Sequence, residues 1–91
     1  MENTLDLLQT TEEKMFVLAN KVRQIRKSKK LSQEKLALMS NVSFGSIKRF
    51  EQTGEISLYS LVKITNCLKI KIDIIDLNED SVKIEGFYNA K

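Results

Sequence analysis

Residues 31–54 read LSQEKLALMSNVSFGSIKRFEQTG, and this stretch decides the fold. Ser32 is a good helix N-cap, because its hydroxyl can accept one of the backbone N–H groups that a helix start leaves unpaired. Leu36, Ala37 and Met39 then follow at the spacing of a short helix that runs to about Ser40. Asparagine is one of the few residue types that enter the left-handed conformation readily, so Asn41-Val42-Ser43 reads as a tight turn. Ser43 caps a further helix whose Ile47 and Phe50, three apart, face inward and which stops at Thr53-Gly54.

Two short helices joined by a turn of three or four residues have the layout of a helix-turn-helix. The small Ala37 leaves room for the two helices to cross closely, and Val42 plugs the gap at the turn. A generic helical bundle satisfies the same spacing. Working outward, Thr10 and Glu13 form a candidate capping box. Behind it, Met15, Val17, Leu18, Val22 and Ile25 give an apolar face through about residue 28. On the other side, Ser57 caps a helix with Leu58, Leu61, Val62, Thr65 and Leu68 as its inward stripe, and Cys67 reads as a small packing residue. Residues 69–77, KIKIDIIDL, alternate and are rich in isoleucine as a strand would be. After the polar Asn78-Glu79-Asp80-Ser81 break, SVKIEGFY reads as a short strand that needs a pairing partner.

Charge narrows the function. Residues 21–49 hold nine basic residues against the single acid Glu34, a local balance of +8, whereas residues 1–20 carry −3 and residues 50–91 carry −2. A block of this kind suits a polyanion partner, and it also suits a solvated lysine-rich helix end. Cys67 is alone and histidine is absent, which removes an intramolecular disulfide, multi-thiolate metal sites and the commonest metal ligand and general base. Neither an enzyme nor a cofactor is expected. With 91 residues, the chain reads as one domain with a small core that association with a second copy would help. No signal-peptide layout and no bilayer-length apolar run is present, so a cytoplasmic location is expected.

LSQEKLALMSNVSFGSIKRFEQTGEISLYSLVKITNCLKI resembles the Cro and phage-repressor (XRE) type of helix-turn-helix domain over roughly residues 16–77. The features that carry the resemblance are Leu31-Ser32-Gln33-Glu34, Leu36-Ala37, Val42-Ser43, Ile47, Arg49-Phe50-Glu51, Gly54 and the helix from Ser57 to Leu68. It implies an all-α, four- to five-helix bundle of the lambda-repressor-like DNA-binding type, with a short C-terminal strand as an addition. The expected organisation is a flexible segment at 1–13, a DNA-binding domain at 14–77 and a dimerisation or partner-binding tail at 78–91, and the resemblance favours a short fifth helix within 69–77. The sequence departs from the family pattern at Ser40 and Asn41, at Glu55 and Ile56, and at Lys69, where a helix-ending glycine is common. Glu55 puts one phosphate contact in doubt.

In the resembling family the third helix lies in the major groove with its N-terminal residues at base edges. Carried over, those positions are Ser43, Phe44, Gly45, Ser46 and, one turn on, Arg49, whose guanidinium suits guanine O6 and N7. Phe44 suits a thymine methyl or a place in the core. Gly45 allows close approach of the backbone or avoids a clash with the preceding helix. Gln33 resembles the family's phosphate-contacting glutamine; Lys48, Lys35 and the Arg26–Lys30 run would add general attraction, with Ser32, Thr53 and Gly54 as further phosphate contacts. The resemblance implies a double-stranded DNA-binding regulator, a repressor, acting as a homodimer on a palindromic operator with half-sites about 34 Å apart. An antitoxin that also binds a toxin protein, or an interaction module that has lost DNA binding, are the other readings.

Overall fold

The computed structural model of the protein describes residues 9–78. Four helices follow one another: α1 at Thr11–Ser28, α2 at Gln33–Ser40, α3 at Phe44–Thr53 and α4 at Leu58–Leu68. Each begins where a hydroxyl can cap it. Thr10, Ser32, Ser43 and Ser57 accept hydrogen bonds from the backbone N–H groups of Glu13, Lys35, Ser46 and Ser60. Thr10 and Glu13 close a full capping box, with the Thr10 N–H donating to Glu13 Oε1 at 2.9 Å. Helix α1 therefore begins ahead of the domain boundary expected at 14. No helix among the described residues is long and apolar enough to cross a membrane.

The helices end by left-handed turns. Asn41 has φ 59° and ψ 38°, the conformation its residue type favours. Lys30 and Lys69 take nearly the same φ, 60° and 61°. The exit from α4 therefore follows the same path a glycine would give, with the Ile70 N–H donating to the Thr65 carbonyl at 3.0 Å. Gly54 ends α3 at φ 88°, and here no other residue fits: a Cβ would lie 2.6 Å from the carbonyl carbon of Met15 on α1. That close approach is what brings the start of α1 against the end of α3.

The core is a cluster of Ala19 and Val22 from α1, Leu36 from α2, Val42 from the turn, Ile47 and Phe50 from α3, and Leu61, Ile64 and Leu68 from α4. Each large aliphatic or aromatic side chain removed from water contributes about 1.5–3 kcal/mol. Two sequence expectations need correction. Leu58 and Val62 are exposed, and Ile64 takes the buried place, so the inward stripe of α4 is Leu61, Ile64, Thr65 and Leu68. On α1 the buried residues are Ala19, Val22 and Arg26, while Leu18 is exposed.

Residues 70–78 contain neither helix nor strand. The fifth helix favoured for 69–77 is therefore absent. The segment presents Ile72, Ile74, Ile75 and Leu77 to solvent, so it lacks the inward apolar face that stabilises a short helix by packing. The strand expected over SVKIEGFY lies outside the described residues.

Candidate nucleic-acid interface

Helix α3 has two unlike sides. Ile47 and Phe50 are buried, while Ser43, Phe44, Gly45, Lys48 and Arg49 are exposed and Ser46 is half-buried. The seating of α3 follows from the spacing of its apolar residues, and the opposite side is left to solvent at its N-terminal end. Phe44 stands outside the buried cluster with 40 % of its surface exposed, so of the two places open to it the structure gives the surface one. Ser43 Oγ accepts the Ser46 N–H and pairs with the Ser46 hydroxyl at 2.8 Å. Gly45 is not required by packing, because a Cβ there would meet nothing within 4 Å. Clash avoidance does not explain that glycine.

Below this surface lies a network the sequence reading missed. Arg26, expected among the solvent-facing basic residues, is 7 % exposed. Its Nε donates to Glu51 Oε2 at 2.7 Å and its Nη2 to Glu51 Oε1 at 3.0 Å, while its Nη1 donates to the Leu31 carbonyl. Gln33 Nε2 donates to Glu51 Oε1 at 2.9 Å, and Arg23 Nε stands 3.8 Å from the same oxygen. Burial pushes the Glu51 carboxyl up, but the hydrogen bonds from Arg26 and Gln33 and the charges of Arg26 and Arg23 outweigh it and hold the group below its ordinary value. The signal was present in the sequence: Arg26 lies in phase with Ala19 and Val22 on the inward face of α1. The network joins α1, the start of α2 and the end of α3, so it fixes the exposed side of α3 relative to the helix that precedes it.

Gln33 is half-buried, and one of its two amide N–H groups serves Glu51; the other and the carbonyl oxygen remain for a ligand. Ser32 uses its oxygen to cap α2. Lys27, Lys29, Lys30, Lys35 and Lys48 are all exposed. The phosphate role expected of Gly54 is not available to its amide, which is buried and donates to the Phe50 carbonyl at 2.7 Å. Thr53 is exposed, and its hydroxyl donates to the Arg49 carbonyl at 2.9 Å and accepts the Glu55 N–H at 3.1 Å. Arg49 is paired with Glu55, Nε to Oε1 at 2.9 Å and Nη2 to the same oxygen.

A short capped helix, a left-handed turn at Asn41 and a second helix with its N-terminal end free in solution define a helix-turn-helix of the kind that DNA-binding regulators use. Compared with known families, the chain matches the helix-turn-helix family over residues 22–75, more than half its length. It belongs to that family, in its Cro and phage-repressor type. No curated protein and no solved structure gives a match.

Proposed function

We propose that the protein is a sequence-specific, double-stranded DNA-binding repressor that acts as a homodimer in the cytoplasm, lays α3 in the major groove and regulates its own promoter. The observation that carries this reading is Gly45, a glycine near the start of a helix where packing would admit a side chain. Glycine there lowers helix propensity, and what it offers in return is close approach of the backbone to a ligand. Arg49 is the residue for a guanine, Phe44 for a thymine methyl, and Gln33, Ser43 and Ser46 flank them. Lys35 and Lys48 add sequence-independent attraction to phosphate.

Dimerisation is supported by the apolar residues left in solvent at Leu58, Val62, Ile72, Ile74 and Ile75. The same residues also support the antitoxin reading, in which a toxin protein covers them. The test is fluorescence anisotropy with a labelled duplex from upstream of the protein's own coding region and a scrambled duplex, over a salt series. Preferential binding that weakens steeply with salt is expected. Equal, weak binding to both duplexes contradicts the proposal.

A further inference from the structure

Arg49 does not stand free on the reading side of α3. Its Nε and Nη2 both donate to one oxygen of Glu55, so the acid occupies a single edge of the guanidinium. An arginine fork carries five N–H groups. The two on Nη1 and the second on Nη2 remain, and among the described residues they have no partner. That remaining edge presents two parallel donors, which is what guanine O6 and N7 accept. The pair is also held in register. Thr53 Oγ1 donates to the carbonyl of Arg49 and accepts the backbone N–H of Glu55, so the loop bearing the acid is fastened to the turn of helix bearing the arginine.

As a contribution to stability this contact is small. The side chains are 67 % and 53 % exposed, and water and salt screen such pairs. Its consequence lies in where it puts charge. A carboxylate at Arg49 cancels much of the attraction between that arginine and a phosphate, and it repels the DNA backbone itself. A guanine edge carries partial charges only, so the repulsion it meets is much weaker.

We propose that Glu55 is a specificity-determining residue of the DNA-reading surface: it holds Arg49 by one edge of the guanidinium, so that the other edge meets a guanine and is kept from a phosphate. Glu55 is a positioning residue, acting on the base through Arg49. The inference rests on α3 being the DNA-reading helix.

The test is selection from a duplex library with a randomised central region, using the full chain as wild type, Glu55→Gln and Arg49→Ala. Binding of the selected duplex and of a scrambled duplex is then measured by anisotropy. Far-UV circular dichroism checks that each variant is folded. The wild type is expected to enrich a motif with a guanine that disappears in Arg49→Ala. Glu55→Gln is expected to keep the other positions, to lose about fivefold of the guanine preference, and to bind the scrambled duplex about fivefold more tightly. A guanine preference and scrambled-duplex affinity both unchanged in Glu55→Gln overturn the role of Glu55 and leave α3 as the reading helix. The absence of any enriched motif in the wild type, or a motif intact in Arg49→Ala, overturns the reading by Arg49 and this inference with it.

Discussion

The guanidinium of Arg26 on α1 clasps the carboxylate of Glu51 on α3 through two hydrogen bonds of 2.7 and 3.0 Å, with both side chains nearly excluded from water. Such a pair contributes less by its attraction than it costs when halved, since the survivor is a buried charge without a partner. Glu51→Ala is therefore expected to destabilise the domain by about 3–5 kcal/mol, whereas Arg26→Met with Glu51→Leu loses far less or nothing. Urea unfolding followed by circular dichroism measures both. A loss in the double variant equal to the sum of the separate Arg26→Met and Glu51→Leu losses would show that the two groups act independently.

The same carboxylate makes stability depend on pH. Glu51 protonates in the unfolded chain near 4.5 and in the folded protein only at lower pH. Its contribution is therefore fully present above that value and is lost as pH falls through the folded-state value. Thermal midpoints between about pH 6 and pH 3 should fall more steeply for the wild type than for Glu51→Gln, whose side chain does not titrate. Parallel curves for the two proteins would contradict this.

Two glycines, one within α3 and one that caps its end, separate folding from function. Gly54→Ala must place a Cβ against the Met15 backbone at a positive φ, and a loss of at least about 1–2 kcal/mol is expected from the left-handed backbone alone. Gly45→Ala meets open space and should leave stability unchanged or raise it by up to about 1 kcal/mol. Its expected defect is in DNA affinity, where the added methyl group stands between backbone and groove. Anisotropy and thermal melts on the same preparations check both expectations.

Lys69 supplies a third contrast. It adopts φ 61° at the end of α4, a conformation that costs a side-chain-bearing residue about 1–2 kcal/mol. Lys69→Gly recovers part of that strain and gives some back through the freer unfolded chain, so a net gain of about 0.5–1 kcal/mol is expected. A fall in the thermal midpoint would show that the lysine side chain stabilises the exit in some other way.

Much of this fold is legible in the sequence because its punctuation is local. The four hydroxyl caps and the turn at Asn41 are each decided within four residues, and each is where the residue types place it. What was not legible depends on distance or on degeneracy. Arg26 and Glu51 are 25 residues apart, and a charged residue in a basic run reads as solvated until its partner is known. The α4 stripe was misplaced because Leu58, Leu61, Val62, Ile64 and Leu68 supply more apolar positions than one helix face can bury. On the candidate interface, Glu55 stands out as a departure from the family pattern, but its attachment to Arg49 depends on the turn at Gly54. Gly54 carries the chain back past the last turns of α3.

The most direct test of α3 as the DNA-reading helix is the amide spectrum of ¹⁵N-labelled protein titrated with a duplex from upstream of its own coding region. The largest shifts are expected at Ser43, Phe44, Gly45, Ser46 and Arg49, with smaller ones at Gln33 and Lys35. Shifts confined to α4 and residues 70–77, with residues 43–49 unmoved, would contradict the account.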